Sequence, residues 1–423
     1  MQRLLSLKRS LPAHTVVGFF TSNRKWMTKS SLRRVFNLFY FLFALLLYAI
    51  ALPFLVVLSF KHKYRQSIPS RFFLYNNPSL KSNGIWFHSC SLGEARAIKP
   101  LIQHFSPQDI RLTTTTHTGF SEMNKNTTQS RYLPYELFLP FWIKPQKALV
   151  VMEAEYWYFL FAFAKMRGAK VIVINARMSD RSYKNYLRFR WLYRRIFAHT
   201  DEVFAQTSTD RERLESLGAK NITVTGNIKL YKLPQTTKSL TKPNGLIVCG
   251  ASTHPKEEAL ILEAFASLKA KEPNATLILV PRHPERFGEV LHLAKEFASK
   301  ESMSFAQYSI DSSLQSDIIV VDMLGELINL YAISDIVIAA GSFEPNIGGH
   351  NVAEAAQFGC KIISGKEYFN QRDIYQSIEN IKVVESRELT DALLNHHTLK
   401  PSKIIAQTDI KPIVESIRKV SIK

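Results

Sequence analysis

The sequence predicts two doubly wound α/β domains with a cleft between them, preceded by a membrane-anchor helix. Three observations lead there. Short β-branched and apolar runs alternate with helical stretches in both halves of the chain. A proline-containing segment biased to Ser, Thr and Lys separates the halves, and one run near the N-terminus carries no charge for 26 residues. The chain of 423 residues is too long for one ordinary core, and its 46% hydrophobic and 21% charged residues are those of a globular protein.

The charge-free run is Val35 to Phe60, VFNLFYFLFALLLYAIALPFLVVLSF. As a helix it would span about 39 Å, enough to cross a bilayer with tilt. A basic segment, residues 1–34, precedes it, and no A-x-A-like site closes it, which argues against a signal peptide. Pro53 permits either a kinked span or a dip into one leaflet. Basic residues flank both ends (Arg33 and Arg34 before; Lys61, Lys63 and Arg65 after), so the positive-inside rule does not fix orientation. The excess of 55 Lys+Arg over 35 Asp+Glu, a net +20, points to anionic partners: nucleic acid, acidic lipid or phosphorylated substrates. Three distant cysteines, Cys90, Cys249 and Cys360, imply neither a disulfide framework nor a zinc site and suit a reducing compartment.

In the first half the strand candidates are GIWFH, DIRLTTTT, KALVVM, AKVIVIN, DEVFAQ and NITVTG. Several are apolar throughout, as in parallel strands buried on both faces. TDRERLESLG reads as a helix for which Gly218 is the C-terminal cap. YKLPQTTKSLTKPN, residues 231–244, then breaks the pattern as a linker. The second half repeats the architecture with GLIVCGAS, ATLILV, DIIVVD, DIVIAAGS and CKIISG. The expected organisation is therefore a basic segment (1–34), an anchor helix (35–60), a first domain (61–230), the linker (231–244) and a second domain (245–423).

Ligands of open parallel sheets bind at the carboxyl ends of strands. SCSLGEARAIKPL follows the first strand candidate, and Ser91-Leu92-Gly93-Glu94 has the spacing of a capping box. On spacing alone a cap is the leading reading of Glu94, with a catalytic base as the alternative. In the second half, Ser252, Thr253 and His254 lie between a strand and a helix whose first turn holds Pro255. Arg282 and His283 directly follow a buried strand, and Gly348 and Gly349 precede a helix starting near Asn351, with Glu354 three residues on. Glycines let a backbone approach a ligand and helix N-termini favour phosphate, although Asn351 and Glu354 also fit ordinary capping. Three such loops in one half point to an anionic ligand.

GCKIISGKE is not a Walker phosphate loop, since five residues separate Gly359 from Gly365 and Glu367 stands where Ser or Thr is needed. No G-x-G-x-x-G follows a strand, so no nicotinamide cofactor is expected, and no His/carboxylate spacing suggests a metal. Residues 177–195 hold seven Lys/Arg, among them Arg177, Arg181, Lys184 and Arg188, interleaved with Tyr, Phe and Trp. A solvated helical face is the usual explanation of a charge run; the aromatics favour a surface for membrane or phosphorylated lipid. No reader motif supports nucleic acid.

The motifs SLGE, TTTTHTGF, YLPYEL, VVMEAEYW, INARMSDRS, VTGNIK, GAST, LVPRHPERF, LGEL..LY and GGHN..E occur in that order between about Trp86 and Asn370. In this the chain resembles the 3-deoxy-D-manno-octulosonic acid (Kdo) transferases of lipopolysaccharide synthesis. The resemblance implies a B-type glycosyltransferase fold, with the acceptor on the N-terminal domain and CMP-Kdo on the C-terminal one. It implies inverting transfer of Kdo, without metal or other cofactor, to a tetraacylated lipid A precursor (lipid IVA). The setting it implies is the bacterial inner membrane, with the catalytic domains facing the cytoplasm and its anionic surface. Met152-Glu153-Ala154-Glu155 replaces the family's M-E-T-E, and Gly348-Gly349-His350-Asn351-Val352-Ala353-Glu354 replaces G-G-H-N-P-L-E; the glutamates survive both changes.

Carried over by position, Glu94 matches the general base, and Glu153 or Glu155 and Lys229 match groups supporting the transition state. Ser252, Thr253, Pro281, Arg282, His283, Leu324, Gly325, Glu326 and Gly348 through Glu354 match the CMP-Kdo-binding segments, Arg282 meeting phosphate and Glu354 the ribose hydroxyls. The alternatives are a B-type transferase using a UDP- or ADP-sugar, and a non-catalytic anchored protein that binds acidic lipid.

Overall fold

The computed structural model describes residues 29–125, 127 and 129–421, with the side chains of 29–33, 181 and 421 excepted. Most of the expected basic segment, residues 1–28, lies outside the described residues, as does the Arg181 side chain. The chain divides after Val57 into two units. The first is built on the helix Lys29–Ser59, whose stretch Arg34–Ser59 has a mean hydropathy of 2.8 and contains Pro53. Among the described residues it is the helix long and apolar enough to cross a membrane.

The second unit holds two seven-stranded parallel sheets. The first sheet contains β1 (Ile85–His88), β2 (Ile110–Thr114), β3 (Ser130–Tyr132), β4 (Ala148–Met152), β5 (Lys170–Ala176), β6 (Glu202–Ala205) and β7 (Ile222–Val224). Its order is β3-β2-β1-β4-β5-β6-β7. The second contains β8 (Ile247–Thr253), β9 (Thr276–Pro281), β10 (Phe305–Gln307), β11 (Ile318–Val320), β12 (Ile336–Ala339), β13 (Lys361–Ser364) and β15 (Ile381–Val383), ordered β10-β11-β9-β8-β12-β13-β15. A small antiparallel pair, β14 (Ile378–Glu379) and β16 (Lys403–Ile404), completes the strands. The central strands are largely apolar because both faces are covered: every residue of β1, β4, β8 and β9 is buried.

Side-chain caps start the helices that follow β1, β2, β5 and β6 of the first sheet. Ser91, Thr116, Ser179 and Thr207 each stand at a helix N-cap, where the side chain accepts an orphan N–H two or three residues on. Gly218 takes the left-handed conformation (φ 96°) just past the helix Ser208–Ser216, as its capping role requires. Strand order reverses direction between β1 and β4 in the first sheet, and between β8 and β12 in the second. Crevices open at such switch points, on the carboxyl side of the strands.

Three local expectations are corrected. Pro255 precedes its helix, which begins at Glu257 after Lys256 in a left-handed conformation (φ 76°). The helix expected near Asn351 begins at Ala353 and runs only four residues, Ala353–Ala356, with the Asn351 side chain accepting from the N–H of Ala353 (3.0 Å) at its start. Residues 245–423 do not all stay with the second sheet. Helix Lys411–Ser421 places Ile413, Val414 and Ile417 in the core formed by Ile85, Phe87, Ala148 and Val150 of the first sheet. The two chain crossings between the sheets are laced together, since Asp409 N–H donates to Thr225 O (2.9 Å) and the Thr408 hydroxyl to Asn227 O (3.0 Å). Between them Gly226 (φ 81°) leaves no room for a side chain: a Cβ would lie 2.2 Å from Gln407 O. The segment 231–244 contains no helix or strand and is held by Asn329, whose Oδ1 accepts from Thr237 N (2.8 Å).

Candidate active site

The first switch point gathers three glutamates. Glu94 lies in the first turn of the helix Leu92–Ala97, after β1, rather than in the loop before it. Its carboxylate accepts from Cys90 N (2.8 Å) and the Ser91 hydroxyl (2.9 Å), while Ser91 Oγ accepts from Glu94 N (3.3 Å). The capping geometry is therefore present and the carboxylate belongs to it. Burial and the neighbouring Glu153 carboxylate push the Glu94 carboxyl above the ordinary glutamate range, against the pull of Cys90 N–H, Ser91 and Lys229. A half-buried carboxylate so tuned is suited to accept a proton.

Glu153 and Glu155 follow β4 and part company. Glu153 sits at φ 57°, a conformation that costs energy outside glycine and is held by two side-chain contacts. Its Oε1 pairs with Lys229 Nζ (2.6 Å) and accepts from Asn175 Nδ2 (3.2 Å). Burial pulls the Lys229 pKa down, but Glu153, Asp373 and Glu94 outweigh it and hold the ammonium above its ordinary value. Glu155 instead accepts from the Trp157 indole N–H (2.7 Å) and lies 3.8 Å from His88 Nε2, beyond hydrogen-bond distance. Burial would raise its pKa; His88, Trp157 and Cys90 together bring it down to about 2. Glu155 is thus a fixed anion, whereas Glu94 can exchange a proton. The Cys90 thiol, pushed up to about 11 by burial and Glu155, stays protonated.

The second switch point gathers the loops after β8 and β12, with the loop after β9 beside them. Ser252 is buried at φ 57°, and Thr253 O accepts from Arg282 N (3.1 Å). Pro281 ends β9, and beyond it Arg282 and His283 are exposed. No hydrogen bond or ion pair engages the Arg282 guanidinium among the described residues, yet its charge is felt at His350 and Glu354. Gly348 and Gly349 take φ 93° and 81°, and Gly349 N donates to Gly341 O (2.8 Å). Asn351 Nδ2 reaches Glu354 Oε1 (3.3 Å), and Val352 and Ala353 are buried. Burial raises the Glu354 pKa, opposed by Asn351, Arg282 and Arg96, the last reaching it from the first domain. Leu324 is exposed and Gly325 is at φ 90°, but Glu326 turns to the linker and pairs with Lys238 (2.9 Å).

The basic stretch divides. Lys184 and Arg188 are exposed on the helix Asp180–Arg188, beside exposed Leu187, Phe189 and Trp191. Arg177 does not join that surface: its Nη1 pairs with Asp373 of the second domain (2.7 Å). Asn227 donates to the same carboxylate (3.1 Å). Arg177, Asn227 and Asp373 also line a polar cavity of about 740 Å³ at the ends of β5 to β7, which none of the three glutamates lines.

Two residues are additions to the sequence reading. Glu257, 1% exposed, accepts from His254 N (3.0 Å), Gly341 N (2.7 Å) and Phe343 N (3.1 Å), tying the β8 and β12 loops together. Its distance of three residues from His254 was the available signal. Arg71, on the helix Ser67–Phe72, donates to Leu133 O (3.1 Å) and lies in the field of Cys90 and Glu155. Nothing in its own stretch of sequence indicates that placement.

Two doubly wound parallel-sheet domains, each with its loops gathered at a switch point, have the architecture of the B-type glycosyltransferases. Residues 66–232 match the family model for 3-deoxy-D-manno-octulosonic-acid transferase (kdotransferase). A 3-deoxy-D-manno-octulosonic acid transferase of Haemophilus influenzae is 33% identical over 387 residues, covering 85% of this chain and 89% of that protein. Those of Rickettsia bellii (30% identity; 74% of this chain, 78% of that one) and Bordetella pertussis (32%; 68% and 72%) are similar as well. The chain belongs to the Kdo transferase family, and its activity is that of a Kdo-transferring glycosyltransferase.

Proposed function

We propose that the protein transfers Kdo from CMP-Kdo to a tetraacylated lipid A precursor, with inversion and without a metal, in lipopolysaccharide synthesis. The observation that carries this reading is Glu94: a carboxylate of raised pKa at the switch point of the first domain, beside the Glu153–Lys229 pair. The acceptor hydroxyl attacks the anomeric carbon as its proton passes to Glu94, a direct displacement that inverts the centre. Lys229 and Glu153 hold the polar side of the cleft, and Arg282 meets the donor phosphate with a charge-assisted hydrogen bond. Glu354 accepts from the ribose hydroxyls.

Mass spectrometry of purified protein incubated with fresh CMP-Kdo and tetraacylated acceptor tests the reaction; the expected product is acceptor plus Kdo. Turnover with a UDP- or ADP-sugar in place of CMP-Kdo would reject the donor, and activity abolished by EDTA and restored by magnesium would reject the metal-free mechanism. Arg282→Ala is expected to weaken CMP-Kdo binding by about 1.5–3 kcal/mol, read by calorimetry; an unchanged affinity would remove Arg282 from the phosphate site.

The catalytic unit works at the cytoplasmic face of the inner membrane, supported by the apolar helix Lys29–Ser59 and the exposed basic-aromatic face around Lys184, Arg188 and Trp191. Deleting residues 1–60 is expected to release the protein from membranes only in part, and high salt to release the rest, since attraction between basic residues and anionic lipid is screened. A truncated protein that stays bound in high salt would contradict that division.

A further inference from the structure

We infer that the His254–His350 pair takes up one proton when the donor binds and sets the resulting imidazolium against the leaving phosphate. The inference rests on the CMP-Kdo reading and adds a catalytic group to it.

His254 follows β8, and His350 ends the glycine loop after β12. Their Nε2 atoms are 2.9 Å apart, with rings 10° from parallel. The His350 ring occupies the space a side chain at 341 would need, 2.7 Å from a Cβ built on Gly341, and Glu257 fixes the His254 backbone. Both rings are therefore held. A hydrogen bond between two imidazole nitrogens contains one hydrogen, so one ring donates Nε2–H and the other carries its proton on Nδ1. A proton added to the accepting Nε2 would set two N–H groups head to head. Added to the Nδ1 of the donating ring, it leaves the bond intact and makes it charge-assisted. Neither Nδ1 has a hydrogen bond or ion pair among the described residues, and the pair has room for one extra proton.

The surroundings set when that proton arrives. Facing the pair are Arg282 and His283 from the loop after β9, the His283 ring 5.4 Å from His254. Beside His254 lie Lys256, 3.9 Å from Glu344, and Glu258, whose carboxylate is paired with Arg286 (2.6 Å). Burial and the Arg282 charge lower both imidazoles and keep the free pair neutral, with His350 brought down to about 3. CMP-Kdo would bring a phosphodiester whose negative charge, placed beside the pair, favours an imidazolium. During transfer the bond between the Kdo anomeric carbon and the phosphate oxygen breaks, and its electron pair stays on that oxygen. The acceptor oxygen bonds to the anomeric carbon and its proton goes to Glu94. The phosphate passes from one negative charge to two, and the Nδ1–H of the imidazolium donates to it.

The probe is CMP methyl ester, a phosphodiester that does not itself titrate near neutrality, binding the full-length protein in detergent. Calorimetry at pH 7 in two buffers of contrasting ionisation enthalpy counts protons. About one proton is expected to be taken up, with affinity rising about tenfold per unit fall in pH from 8 towards 7, the slope of a single linked proton. His254→Gln and His350→Gln should each abolish the uptake and lower kcat more than they raise KM, whereas His283→Gln should retain it. Thermal unfolding of each variant identifies a folding failure, and the parent measurement stands without them. Tight binding with no proton uptake overturns the inference while leaving the donor reading intact. Uptake lost only in His283→Gln overturns the assignment to the pair. Failure of the parent to bind the ester rejects the donor reading, and the inference with it.

Discussion

Glu94→Gln is expected to fold and bind CMP like the parent while turning over about 10²–10⁴-fold more slowly, the usual worth of a general base. Glutamine keeps one oxygen to accept from Cys90 N or the Ser91 hydroxyl, so the helix start survives. What it loses is the capacity to take a proton. Because the Glu94 pKa is raised by folding, the ionised form is held at some cost to stability once pH rises through that pKa. The neutral amide escapes this cost, so at pH 7 the variant should be at least as stable as the parent, with the difference closing as pH falls below the Glu94 pKa. The kcat/KM of the parent should drop on the acid side at a higher pH than an ordinary glutamate would give, and the residual activity of the variant should lack that limb. Transfer within a few-fold of the parent rate by a stable Glu94→Gln would reduce Glu94 to a cap.

The second large effect concerns stability. Glu257→Ala is expected to cost about 3–5 kcal/mol in urea unfolding, because three N–H donors lose their shared acceptor at a site closed to water. The donors belong to the β8 and β12 loops, so CMP affinity should fall with stability. Glu257→Gln, which offers one oxygen instead of two, should lie between. A loss below about 1 kcal/mol would show that the loops hold their shape without the carboxylate.

What was legible in the sequence follows from how local each signal is. The eleven strand candidates all lie on strands; apart from the exposed edge strand Ile222–Val224, burial on both faces leaves an apolar run that needs no knowledge of neighbours. Ser130–Tyr132, Phe305–Gln307 and Ile381–Val383 were not legible: each is a three-residue edge strand without the β-branched run that marks the equally short Ile222–Val224. The residue types for Glu94, Glu153, Glu155 and Lys229 could be listed from motifs, but not their partners. The Lys229–Glu153 pair spans two strand ends, and the Trp157 contact that separates Glu155 from Glu153 is a matter of rotamer. Glu257 escaped notice because two of its three donors, Gly341 and Phe343, lie more than eighty residues away. Arg177 was misplaced for a related reason: its charge run continues into an exposed helix, while its own partner, Asp373, belongs to the other domain.

The return of helix Lys411–Ser421 to the first sheet bears on how the protein is made. That sheet is complete in sequence by Val224, yet Ile413, Val414 and Ile417 of its core leave the ribosome only after every strand of the second sheet. At about 5–20 residues per second, translation of the intervening stretch takes roughly 10–40 s. Throughout that interval the face of β1 and β4 that receives the helix stands open to water, and the nascent first domain must be sheltered or loosely closed until the helix emerges. The second sheet, by contrast, has all its strands by Val383 and can consolidate while the chain is still tethered. The order of maturation is thus the reverse of the order of synthesis, and a stop codon placed just before Lys411 would damage the domain encoded first.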